Sequence, residues 1–156
     1  MISNSSPLIF LSKIGKLNFL RELFKEIKIT KDVRDEVLIE GKPDSYAIKR
    51  AIDENWIKIE DPKKEVFFGL GKGEESVISL ALDKKDSLIL DDALAIKVAK
   101  SFNIDIFRTT SIIFLALKNN LITKEEALKL VNKLIEEGYY ISPKYYLVLV
   151  EELNIN

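Results

Sequence analysis

The 156-residue chain contains no cysteine and no histidine. The first absence excludes a disulfide framework and thiolate metal sites. The second removes Ser-His and Cys-His nucleophile pairs, the histidine base of many nucleases, and the usual zinc ligand sets. Any catalysis must therefore rest on Asp, Glu, Lys, Arg, Tyr or hydroxyl groups. The net charge is −1, so the basic field that normally marks a nucleic-acid surface is missing. No apolar run reaches the roughly 18 residues that a membrane helix needs. The N-terminus lacks a basic segment and a cleavage pattern, so no secretory signal is visible. The expectation is a cytoplasmic protein forming one domain over residues 1–156, without a membrane partner. Glutamine is also absent, and lysine outnumbers arginine 20 to 4. Lys/Glu enrichment of this kind suggests a thermophile, although AT-rich coding produces much the same bias.

Strand and helix signals alternate over the first two thirds of the chain. Met1 to Ser3 reads as a strand, Ser6-Pro7 as a cap and first helical residue, and Leu8, Ile9, Leu11 and Ile14 as one helical face. A second helix runs from Lys16 to Phe24. Ile27-Lys-Ile-Thr30 alternates as a strand, and Thr30 caps a helix over roughly 31–39. A helix at Ser45–Asn55 and a strand at Trp56–Glu60 follow. Residues 61–70 are irregular, and Gly69, Gly71 and Gly73 extend the loop to a helix at Glu74–Leu82. Ser87-Leu-Ile-Leu-Asp91 reads as a strand buried on both faces, and Asp92 caps a helix to Ser101. Ile104 to Phe107 is the next strand, with Thr110 or Ser111 capping the helix after it. Thr123-Lys-Glu-Glu126 is a capping box, and Ser142-Pro143 opens the last helix. This order predicts an α/β fold: a three-layer α/β/α sandwich, Rossmann-like, around a mostly parallel sheet.

The acids at element junctions carry the chemical information. Glu36 lies in the helix after the second strand, Glu74 opens a helix, and Asp91 and Asp92 stand between a buried strand and a helix. Asn4 ends the first strand. In a right-handed parallel sheet all strand-to-helix junctions fall on one edge. Asn4, Glu36, Glu74, Asp91 and Asp92 can thus converge on one crevice. Carboxylates gathered without His or Cys favour hard divalent ions, Mg²⁺ or Mn²⁺. Such a site can activate water and stabilise an in-line phosphodiester displacement.

Each residue also has a purely structural reading. Asp92 is a good N-cap, Glu74 suits a helix dipole, Glu36 could be solvated, and Asn4 could bond its own backbone. Convergence on one edge, not any single residue, raises the functional reading. Gly69-Leu-Gly-Lys-Gly-Glu74 resembles a phosphate loop but fails the pattern, since no GK[ST] follows and Glu74 replaces the third glycine of GxGxxG. Tyr139, Tyr140, Tyr145 and Tyr146 read as core or subunit contact rather than a base-stacking platform. Lys13, Lys16, Lys72, Lys97, Lys100 and Arg108 could rim the same edge, but each reads better as a scattered, solvated charge.

Five stretches together resemble PIN-domain proteins, especially a VapC-like toxin subgroup. They are Ile2-Ser-Asn-Ser-Ser-Pro-Leu-Ile9, Ile29-Thr-Lys-Asp-Val-Arg-Asp-Glu-Val37, Leu70-Gly-Lys-Gly-Glu-Glu-Ser-Val-Ile-Ser-Leu-Ala81, Leu88-Ile-Leu-Asp-Asp-Ala-Leu-Ala-Ile-Lys-Val-Ala99 and Gly138-Tyr-Tyr-Ile-Ser-Pro143. The resemblance implies a Mg²⁺- or Mn²⁺-dependent ribonuclease acting on RNA. It also implies a toxin held by a small antitoxin protein, and a homodimer. The family's first acid falls on Asn4, the second on Glu36, the third on Glu74 with Glu75 as a slip of register, and the last on Asp91 or Asp92. Asn4 departs from the family pattern and removes one negative charge. Its amide oxygen can still face a cation. Two further readings stand beside this one. One is a PIN-fold protein without nuclease activity that binds RNA or protein. The other is a different α/β module, of nucleotide-binding or response-regulator type.

Overall fold

Short β-rich runs whose residues are apolar on both faces can only be satisfied between two layers of helices. The computed structural model, which describes residues 1–39 and 41–154, has this arrangement. Five strands form one parallel sheet: β1 (Ile2–Ser3), β2 (Ile27–Ile29), β3 (Ile57–Ile59), β4 (Leu88–Ile89) and β5 (Ile106–Phe107), in the order β3-β2-β1-β4-β5. Register is set by Ile2 opposite Leu88 and Ser3 opposite Ile89 on one side of β1, and Ile2 opposite Lys28 on the other. Ile2, Ile27, Ile29, Leu88 and Ile89 are fully buried. Burying each such side chain stabilises the fold by about 1.5–3 kcal/mol.

The helices among the described residues are α1 (Ser5–Lys13), α2 (Asn18–Phe24), α3 (Lys31–Val37), α4 (Pro43–Asp53), α5 (Lys72–Lys84), α6 (Ala93–Ser101), α7 (Thr109–Lys118), α8 (Lys124–Glu136) and α9 (Pro143–Asn154). From β1 the chain steps outward through β2 to β3, then returns past β1 to β4. Right-handed crossovers place α1 to α4 on one face and α5 and α6 on the other. α5 lies across β1 and β4; α7 packs on α1 and α2, with α8 and α9 outside it. The three layers expected from the alternation are present, and the sheet is entirely parallel.

Local details differ in instructive ways. The first helix begins at Ser5 with Asn4 as N-cap, not at Pro7 after Ser6. Pro7 still sits in the first turn, where its missing N–H has no intrahelical acceptor. α5 starts at Lys72, so Gly73 belongs to its first turn and not to a loop. Arg108 caps α7 in place of Thr110 or Ser111, and the Ser111 hydroxyl instead accepts the Arg108 N–H at 2.9 Å. Thr30, Asp92 and Thr123 cap their helices as expected, accepting from Val33, Ala95 and Glu126. No helix among the described residues is long and apolar enough to cross a membrane.

Candidate functional site at the carboxyl edge of the sheet

β1 is the switch point of the sheet, since the chain leaves it toward β2 on one side and β4 lies on the other. In open parallel sheets, ligands bind outside the strand carboxyl ends at such a point. Asn4 stands there, its N–H donating to the Ile89 carbonyl at 3.0 Å, and it is only 4% exposed. Its side-chain oxygen has a 3.5 Å contact from the Ser5 hydroxyl. That hydroxyl carries one proton and also makes a much shorter contact to Glu36 Oε2. The proton therefore goes to the carboxylate, and the buried Asn4 oxygen is left with an interaction at the limit of hydrogen bonding.

Glu36 reaches this point from the last turn of α3, across the carboxyl ends of β1 and β2. It lies directly against Gly73. A Cβ added to Gly73 would stand 2.4 Å from Glu36 Oε1 and 2.9 Å from Oε2. Gly73 is required there because its missing side chain makes room for a carboxylate, not because of its backbone angles. Thr30 and Ser76 tie α3 to α5 beneath this contact, with their hydroxyls 2.7 Å apart.

Asp91 occupies the adjoining strand end. Its carboxylate accepts the Thr109 N–H at 2.9 Å, the Thr109 hydroxyl at 2.6 Å and the Tyr139 hydroxyl at 2.6 Å. The Ser6 hydroxyl lies 3.5 Å from its second oxygen, Oδ2, and connects it to the start of α1. Burial pushes the Tyr139 phenol well above its ordinary range, and the neighbouring Asp91 charge adds to this. Tyr139 therefore stays protonated and serves as a fixed donor.

The structure thus brings Asn4 and Glu36 together through Ser5, with Asp91 alongside through Ser6. Glu74 sits next to Gly73 in the first turn of α5, with its carboxylate folded over Gly71. Glu75 turns away and accepts the Phe68 N–H at 3.0 Å. Asp92 accepts the Ala95 N–H at 2.8 Å as the cap of α6. Among the described residues, no group of three or more carboxylates stands close enough to hold a metal ion between them. Every side-chain acceptor at the edge is nonetheless an oxygen, which suits a hard divalent ion. Mg²⁺ keeps several waters and is commonly held by one or two carboxylates, so this donor set fits it. Ser5, Ser6, Gly73, Thr109 and Tyr139 were not among the expected site residues. Their signal was obscured because serine, threonine and glycine at a helix start also read as ordinary caps and turns.

The fold and site define the class: a parallel α/β sandwich with oxygen-bearing side chains gathered at its switch point. A family profile described as a PIN domain matches residues 1–154. The chain belongs to the PIN-domain family, whose members are generally nucleases and typically depend on divalent metal. No curated protein matches the chain. Among solved structures, it is similar to a PilT N-terminus domain protein of the hyperthermophilic archaeon Sulfolobus solfataricus. That match has 21% identity, covers 75% of this chain and 94% of the other, and has a TM-score of 0.48.

Proposed function

We propose that this chain is a Mg²⁺- or Mn²⁺-dependent endoribonuclease and the toxin of a toxin–antitoxin pair. The observation that carries the site is the Asn4–Ser5–Glu36 contact against Gly73. It places a buried, under-bonded amide oxygen beside a carboxylate at the sheet's switch point. Asn4 and Glu36 would hold the ion, Asp91 and Glu74 would reach it through bound water, and Asp92 is left to its cap. When bound, the ion would neutralise phosphate charge and ease deprotonation of water. Ser5 orients the Glu36 carboxylate, and Thr109 and Tyr139 hold Asp91 in one rotamer through three donors. Such outer partners commonly change metal affinity or activity by about 10- to 100-fold when removed. A small antitoxin protein and a homodimer belong to the same proposal.

The test is cleavage of single-stranded RNA with Mn²⁺ or Mg²⁺, comparing the wild type with Glu74→Ala. A loss of about 10- to 100-fold is expected. Equal cleavage by the two proteins sinks the assignment.

A second reading is a PIN-fold binding module without nuclease activity. It is favoured by Asn4, which lowers the site's charge, and by the absence of a three-carboxylate group among the described residues. Asn4→Asp separates the two. A large gain in metal affinity and cleavage marks a weakened enzyme; no change in either marks a binding role.

A further inference from the structure

The edge that holds Asp91 continues into a cavity of about 360 Å³ lined by Arg108, Tyr139, Tyr140, Ile141, Ser142 and Tyr145. The four tyrosines do not share one role. Tyr139 is 7% exposed and spends its hydroxyl on Asp91, and Tyr146 is half-buried and donates to Asn132 at 2.8 Å. Tyr140 is 82% exposed and Tyr145 is 36% exposed. Tyr145 is steadied by a 3.4 Å contact between its hydroxyl and that of Thr110. The core reading describes Tyr139 and Tyr146, whereas Tyr140 and Tyr145 are open on the surface of the single chain.

Arg108 lines the same cavity as these rings. It caps α7 one residue before Thr109, whose N–H and hydroxyl bind Asp91. Among the described residues it forms no salt bridge. A half-buried guanidinium without a carboxylate partner, beside two open aromatic rings, is a set of groups that binds unpaired nucleotides. Bases stack on aromatic faces, and arginine receives the phosphate in a bidentate way. A basic surface is not needed for a single such contact, which fits the net charge of −1.

We propose that this cavity is a nucleobase subsite: an unpaired base of single-stranded RNA stacks on Tyr140 and Tyr145, and Arg108 takes an adjacent phosphate. The proposal rests on the ribonuclease reading for the identity of its ligand. Its place beside Asp91 lets it fix which phosphodiester bond comes to the acidic edge. Tyr139, shared by the cavity lining and the Asp91 carboxylate, is the positioning residue between the two.

The experiment measures anisotropy of a labelled single-stranded oligoribonucleotide with the full chain in EDTA, so that binding is read without cleavage. Tyr140→Ala should weaken binding about 5- to 150-fold, the range expected for one lost stacking contact. Tyr140→Phe should bind as the wild type, because stacking needs the ring and not the hydroxyl. Arg108→Ala should reduce the slope of log affinity against log salt by about 0.7, the value for one phosphate on a single strand. Unchanged affinity in Tyr140→Ala overturns the proposal, as does an equal loss in Tyr140→Phe. Unchanged affinity together with a shift from dimer to monomer in sedimentation also overturns it, and makes the surface a contact between copies. A wild type that binds the oligonucleotide in a Tyr140-dependent way but never cuts it with Mn²⁺ leaves the subsite standing and removes the nuclease reading. A wild type that cuts, with Tyr140→Ala binding as tightly, does the reverse.

Discussion

Glu74–Glu75 and Asp91–Asp92 each put two carboxylates at or just before the start of a helix, and in each pair one carboxylate is spent on a backbone N–H nearby in sequence. Glu75 takes the Phe68 N–H and ties the irregular 61–70 segment to α5. Asp92 takes the Ala95 N–H and caps α6. The partner in each pair is differently placed. Asp91 is held by three donors from α7 and Tyr139, whereas Glu74 only folds over its own helix start at Gly71. In each doublet the two adjacent carboxylates are turned to different partners. The doublets teach that one acid is used by its own stretch of chain and the other is left for contacts elsewhere. They also teach that this other acid can be rigid, as Asp91 is, or loosely held, as Glu74 is.

The largest effect expected from breaking this arrangement is at Asp91. Asp91→Ala leaves the Thr109 amide and hydroxyl and the buried Tyr139 hydroxyl without their acceptor. It should destabilise the protein by about 2–5 kcal/mol in urea unfolding, besides abolishing cleavage. A loss below about 1 kcal/mol would show that the three bonds contribute little. Next come Asp92 and Glu75, the two acids bound to backbone nearby in sequence. Asp92→Ala should lose about 1 kcal/mol through the cap, and Asp92→Asn or Asp92→Ser should recover most of it. Glu75→Ala should lose a similar ~1 kcal/mol by freeing the Phe68 amide. Both variants should keep the metal-dependent cleavage that Glu74→Ala loses. If Asp92→Ala instead keeps its stability and loses cleavage, the division within that doublet is reversed.

The smallest effect is a slope with pH. Glu126 closes the capping box of α8, and the hydrogen bond from the Thr123 N–H holds its carboxyl below the ordinary value of 4.5. Glu60 is held low in the same sense, chiefly by hydrogen bonding to Lys84. A carboxyl whose folded pKa lies below its unfolded value stabilises the fold above the unfolded pKa. That stability is lost as pH falls through the folded pKa. Melting temperature should therefore decline as pH is lowered beneath about 4.5. Glu126→Gln, which keeps an acceptor but cannot titrate, should flatten part of that decline. An unchanged pH profile in Glu126→Gln would remove the capping box from the account.

The architecture was legible in the chain because it is written in local terms. Apolar runs such as Leu88–Leu90, alternation at Ile27–Ile29, and the caps Thr30, Asp92 and Thr123 all report short-range energetics. Boundaries were less legible where two local rules competed. Ser5, Ser6 and Pro7 all suit a helix start, and only the backbone of Asn4, extended at φ −77° and ψ 173°, shows where the helix begins. The candidate site was legible as a set of acids on one edge. Its contacts were not, because residues far apart in sequence make them. Ser5 meets Glu36 and Tyr139 meets Asp91, and no periodicity encodes either meeting.

By itself the sequence determined an α/β sandwich with a parallel sheet, an all-oxygen set of acids without histidine or cysteine, and an asparagine where a carboxylate was expected. The first two follow from residue type and spacing, and the third is what the resemblance to the family implies. The tertiary structure alone decided that Gly73 makes room for Glu36, that Asp91 faces the edge while Asp92 caps α6, and that Tyr140 and Tyr145 remain open beside Arg108. The physical reason is that strand order and crossover geometry set which side chains meet, and long-range packing fixes both.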